Sequence, residues 1–92
     1  MPTSYVLDMT NRARKFLEDL ESKQFKQVVV KMLSLLRNPY PNDSEHLSNR
    51  NYRRVDIGEI RIVYQVTQNV IEILVIGKRN DGAVYTTFNK RQ

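Results

Sequence analysis

Tyr52-Arg53-Arg54-Val55-Asp56-Ile57-Gly58-Glu59-Ile60-Arg61-Ile62-Val63-Tyr64-Gln65-Val66 is the stretch that decides the fold. Apolar and polar residues alternate on both sides of Gly58-Glu59, which is the spacing of strands with one buried face. A two-residue link with Gly first is the chemistry of a type II′ turn, so Tyr52–Ile57 and Ile60–Val66 read as a hairpin. The turn fixes register: Ile57 faces Ile60, Asp56 faces Arg61, Val55 faces Ile62 and Arg54 faces Val63. Val55, Ile57, Ile60, Ile62 and Tyr64 then share a core face. Arg54, Asp56, Arg61, Val63 and Gln65 share the opposite one.

Moving toward the C-terminus, Val70–Lys78 is a third strand, joined through Gln68-Asn69. A two-residue loop there sends Ile71, Ile73 and Val75 to the core. A three-residue loop would bury Glu72, which is costly for an unpaired carboxylate. Strict alternation then sets Arg61 beside Ile76 and turns Lys78 to the Arg61 face.

Toward the N-terminus the period changes to that of a helix. Phe25, Val28, Val29, Met32, Leu33 and Leu36 recur at helical intervals within Lys23–Arg37, and Ser22 is available as a cap. Asn38-Pro39-Tyr40-Pro41-Asn42-Asp43 stops that helix, because prolines two apart cannot continue it. Ala13, Phe16, Leu17 and Leu20 define an earlier helix, Asn11–Leu20, capped by Thr10 or Asn11. Thr3–Leu7 reads as a strand. The expectation is one α+β domain over residues 1–92, in the order β-α-α-β-β-β, with a helical hairpin on one face of an antiparallel sheet. The polar tail Thr86–Gln92 reads equally as a short helix or a frayed end.

The 92 residues contain no Cys and one His, which excludes a disulfide framework, thiolate catalysis and cysteine zinc sites. The acidic residues lack the spacing of metal ligands, and no cofactor motif occurs, so neither metal nor cofactor is expected. His46 lies in the Pro/Asn/Asp/Ser-rich segment and reads as a loop histidine. The longest apolar run is Ile73–Ile76, far short of a membrane span. Asp8, Arg12 and Arg14 fall where a signal peptide needs its apolar region, which points to a cytoplasmic protein.

The net charge is +5, and it is uneven. Residues 1–48 hold seven basic and six acidic side chains; residues 49–92 hold eight basic and four acidic. An excess concentrated in the sheet half points to an anionic partner such as nucleic acid. Arg54 and Arg61 on one exposed face suit phosphate, since a guanidinium can hold two phosphate oxygens at once. The same residues also fit a solvated face in which Asp56 and Arg61 form a cross-strand pair. Gly77-Lys78-Arg79-Asn80-Asp81-Gly82 adds two cations at a turn, and Tyr85 follows, a residue type that stacks on bases.

Leu47-Ser48-Asn49, Tyr52-Arg53-Arg54-Val55, Gly58 to Val66 and Ile76-Gly77-Lys78-Arg79-Asn80-Asp81-Gly82-Ala83-Val84-Tyr85 resemble the RelE branch of the RelE/ParE toxins. The resemblance implies a toxin of a type II toxin–antitoxin pair: a metal-independent, ribosome-dependent endoribonuclease (mRNA interferase). Such an enzyme cuts mRNA in the ribosomal A site by 2′-OH attack on the adjacent phosphate and so inhibits translation. It implies a cognate antitoxin in a hetero-oligomeric complex, with ribosome and mRNA as the other partners. Matched position by position, Arg54, Arg61, Arg79 and Tyr85 are the catalytic set, which neutralises the phosphate, assists proton transfer and stacks on the base; Arg53 and Lys78 bind RNA. Where many RelE-like toxins have a second basic residue, this chain has Asp56. An Asp flanked by arginines is a poor base at neutral pH. If Arg79 takes the family role, a bulge or strand end near Gly77 must re-aim it, because alternation alone selects Lys78. Two other readings fit the residues. One is a ParE-like inhibitor of a protein target such as DNA gyrase. The other is a catalytically degenerate RNA-binding module.

Overall fold

Gly58 adopts φ 59°, and the pairs Ile57–Ile60, Asp56–Arg61, Val55–Ile62 and Arg54–Val63 form as the turn dictates. A computed structural model describes residues 4–47 and 52–79 of the chain. Around this hairpin the elements run β1 (Val6–Met9), α1 (Asn11–Glu18), α2 (Ser22–Arg37), β2 (Ser44–Leu47), β3 (Tyr52–Ile57), β4 (Ile60–Thr67) and β5 (Val70–Lys78). The expected Thr86–Gln92 tail and Tyr85 lie outside the described residues.

The α+β architecture with a helical hairpin on one sheet face is as expected, with two corrections. Ser44–Leu47 is a strand rather than a loop, pairing antiparallel with β3, and it carries His46. β1 pairs parallel with β5, so the five-stranded sheet β1-β5-β4-β3-β2 is mixed. β1 is Val6–Met9 rather than Thr3–Leu7, because its pairing with β5 starts at Val6, whose N–H donates to the Asn69 carbonyl at 2.8 Å.

Both helices cover the face bearing Val55, Ile60, Ile62, Tyr64, Val66, Ile71, Ile73 and Ile76. From α1 come Ala13 and Leu17; from α2 come Val28, Met32 and Leu35. The stripe expected on α2 is thereby rotated. Leu35 is buried, whereas Phe25 and Leu33 are 40% and 54% exposed. Thr10 caps α1, its hydroxyl accepting from Ala13 N at 3.2 Å. Ser22 is the first residue of α2, not its cap; that position is Glu21, which makes no side-chain cap bond.

A polar clamp fixes the segment leading into β2. The buried Tyr64 hydroxyl donates to the Pro39 carbonyl at 2.8 Å, and burial pushes this phenol up from its ordinary value. Ser44 Oγ donates to the Pro41 carbonyl at 2.7 Å. Lys31 on α2 pairs with Asp43 at 2.5 Å, which lowers the Asp43 carboxyl.

The second hairpin departs from alternation. Tyr64 pairs with Ile73, but Val63 pairs with Val75, leaving Leu74 as the extra residue of a β-bulge. Beyond it the faces exchange. Val75 joins Val63, Leu74, Leu47 and Tyr52 in a second apolar cluster on the outer face, not the core expected for it. Ile76 turns to the core, and Arg61 pairs with Gly77 rather than Ile76.

Candidate functional site

The pleat of β3 turns Arg54 and Asp56 to the face away from the helices, and β4 turns Arg61 there beside Asp56. Arg61 grips the carboxylate with two nitrogens: Nε donates to Oδ1 at 2.7 Å and Nη2 to Oδ2 at 3.0 Å. This two-point geometry holds the guanidinium in one orientation. Arg54 Nη1 lies 4.0 Å from Asp56 Oδ2, the oxygen that also accepts from Arg61 Nη2, and Arg54 Nη2 is bonded to Glu45 of β2. The bulge at Leu74 brings the third arginine to this face. Gly77 now opposes Arg61, and the ladder is prolonged by Arg79 N donating to the Glu59 carbonyl at 2.8 Å. Arg79 is therefore on the Arg61 side. The irregularity needed to re-aim it exists, three residues before Gly77 rather than at it.

The electrostatics follow from this grouping. The Arg61 hydrogen bonds foremost, and then the charges of Arg61, Arg54 and Arg79, hold the Asp56 carboxyl below the usual carboxylate range, against an opposing effect of burial. Asp56 is ionised at neutral pH and is a counter-ion and aligner for arginine rather than a proton acceptor. Asp43, Glu45, Arg54 and Asp56 line a small shallow depression beside it.

The other two sequence candidates fall elsewhere. Arg53 is on the helix side, its Nε and Nη2 donating to Ser44 Oγ at 3.2 and 2.8 Å and its guanidinium 5.2 Å from the Tyr40 ring centre. Lys78 pairs with Ile60, so it takes the helix-side parity and not the Arg61 face assigned by alternation. Glu45 was missed because β2 was. Its only sequence signal is the Glu45/Leu47 alternation within a polar four-residue strand, too short to separate from a loop. His46 is exposed, opposite Arg53, and borders a separate depression with Tyr40, Arg53 and Val66. Among the described residues no group of three His, Cys, Asp or Glu side chains could hold a metal ion. No described helix is long and apolar enough to cross a membrane.

A helical hairpin on one face of a mixed five-stranded sheet is the architecture shared with solved toxin structures. The chain belongs to the ParE toxin family of type II toxin–antitoxin systems, whose model matches residues 7–82. It is thus a toxin of the RelE/ParE superfamily. Similar solved structures are RelE proteins. A double-mutant RelE toxin from E. coli in the free state is 26% identical, covering 96% of this chain and 97% of that one, with a TM-score of 0.81. The intact E. coli RelBE toxin–antitoxin complex gives 25% identity, 82% and 96% coverage and a TM-score of 0.73. The archaeal RelE–RelB complex from Pyrococcus horikoshii OT3, 23% identical with 83% and 96% coverage and a TM-score of 0.75, shares the fold. No curated protein matches the chain significantly.

Proposed function

We propose that this toxin is a ribosome-dependent endoribonuclease that cuts mRNA in the ribosomal A site and stops translation in the cytoplasm. The observation that carries the reading is the convergence of Arg54, Arg61 and Arg79 around Asp56 on the face the helices leave uncovered. In the reaction a ribose 2′-OH attacks the adjacent phosphorus and loses its proton. The bond to the 5′-oxygen breaks, that oxygen takes up a proton, and a 2′,3′-cyclic phosphate remains. Negative charge builds on the phosphoryl oxygens as the new bond forms, and fixed guanidinium groups stabilise it. With Asp56 held ionised by its arginines, the chain relies on positioning and charge stabilisation, and the ribosome supplies what proton transfer lacks. Tyr85 stacks on the substrate base, and Arg53 and Lys78 act outside the arginine cluster if they contact RNA. A cognate antitoxin neutralises the protein, as RelB partners RelE in the similar complexes.

A second reading, inhibition of a protein target such as DNA gyrase, is favoured by the family model being that of ParE toxins. Primer extension on ribosome-bound mRNA after induction separates the two. Cleavage that disappears in Arg61→Ala and Arg79→Ala supports the nuclease; removing one charge-stabilising donor costs on the order of 10²–10³ in rate. Loss of supercoiling without cleavage selects the gyrase reading. Absence of both effects leaves an RNA-binding module.

A further inference from the structure

We infer that Thr10 is a positioning residue for the site, acting through the Leu74 bulge on Arg79. Thr10 caps α1 on the far side of β5 from the arginines, yet its hydroxyl makes two bonds with different destinations. It accepts from Ala13 N at 3.2 Å, which is the cap, and it donates to the carbonyl of Leu74 at 2.7 Å. Thr10 N also donates to the Ile73 carbonyl at 3.0 Å. One residue therefore holds both Ile73 and Leu74, the point where β5 changes face.

The bulge decides which cation the sheet delivers. Pairing that continued regularly from Tyr64–Ile73 would turn Val75, Gly77 and Arg79 toward the helices and Lys78 outward. With Leu74 as the extra residue, Val75, Gly77 and Arg79 turn outward and Lys78 does not. A bulge leaves ladder groups that need partners elsewhere, and the Thr10 hydroxyl is the partner of the Leu74 carbonyl. Thr10 touches no substrate; its effect is on where Arg79 stands relative to Asp56 and Arg61.

This inference rests on the nuclease reading for its kinetic consequence but not for its structural one. Thr10→Asp separates the two bonds: its carboxylate still caps α1 but has no proton for Leu74. Thr10→Ser keeps both bonds. In Thr10→Asp we expect unchanged far-UV helix content, exchange of the Arg79 amide faster by about tenfold or more, and an Asp56 carboxyl titration raised slightly, because Arg79 is the smallest of the contributions that lower it. Cleavage of ribosome-bound mRNA should lose roughly 10- to 100-fold in kcat with KM little changed, as expected for a misplaced group rather than lost binding. Thr10→Ser should restore wild-type behaviour, and Thr10→Asp should add nothing in an Arg79→Ala background. Wild-type amide exchange and Asp56 titration in Thr10→Asp would overturn the inference, as would full additivity with Arg79→Ala. If the wild-type protein does not cleave RNA, the nuclease reading fails, while exchange and Asp56 titration still decide the role of Thr10.

Discussion

The hairpins β3–β4 and β4–β5 share a strand and keep register by different means. In the first, Gly58 supplies the positive φ that the turn demands, and every pair out to Tyr52–Gln65 follows from it. In the second, a non-glycine residue, Gln68, carries the positive φ of 55°, and the turn governs pairing only as far as Tyr64–Ile73. Past that point the pairing is set by a contact with the start of α1. A turn thus determines register only up to the first site where tertiary bonds favour an extra residue.

Four substitutions break or sharpen this contrast. The largest effect is expected from Gly58→Val. A Cβ at Gly58 meets nothing within 4 Å, so the cost is purely that of left-handed backbone, about 1–2 kcal/mol. Urea denaturation should show it, and because the Glu59 carbonyl receives Arg79 N, exchange at Arg79 should quicken too. Next is Tyr64→Phe, at the edge of the bulge, which strips the Pro39 carbonyl of its donor and should cost about 1–2 kcal/mol by the same measurement. Gln68→Gly works in the opposite direction. By relieving strained backbone in the second turn it should raise stability by roughly 0.5–1 kcal/mol in the same urea measurement.

The smallest effect on stability belongs to Asp56→Asn. The folded carboxyl lies below its unfolded value, so the Arg61 pair contributes stability that is complete above about pH 4 and is lost as pH falls through the lower folded value. With Asp56 about one-third exposed at 31%, solvent screening limits that contribution to about 0.5 kcal/mol. The wild-type minus Asp56→Asn difference in urea midpoint should stay level between about pH 5 and 8 and close as pH falls below the ordinary carboxylate range.

What could be read in advance follows the same divide. Arg54, Asp56 and Arg61 were legible as neighbours because Gly58-Glu59 anchors clean alternation on both sides. Arg79 was not legible from the pleat, because Ile73-Leu74-Val75-Ile76 is apolar throughout and carries no alternation to reveal a change of face. The face of α2 was obscured likewise, since Val28, Val29, Val30, Leu33, Leu35 and Leu36 leave several stripes equally apolar. β2 is held by its bonds to β3 rather than by its own composition, so Glu45 and its ion pair with Arg54 stayed hidden. The parallel pairing of β1 is a matter of topology, which a local pattern does not encode.

That parallel pairing has a bearing on when the protein can fold. β5 is the last described strand in sequence, yet it lies inside the sheet, between β1 and β4, and its bond with Thr10 spans 64 positions. Neither β1 nor α1 has its main packing partner until β5 has been synthesised. Closing so long a loop must precede any gain from the contacts it makes, which slows folding relative to a domain of local contacts. The arginine face is therefore assembled late: a partly synthesised chain has the hairpin of β3 and β4 but lacks the strand that brings Arg79 to it.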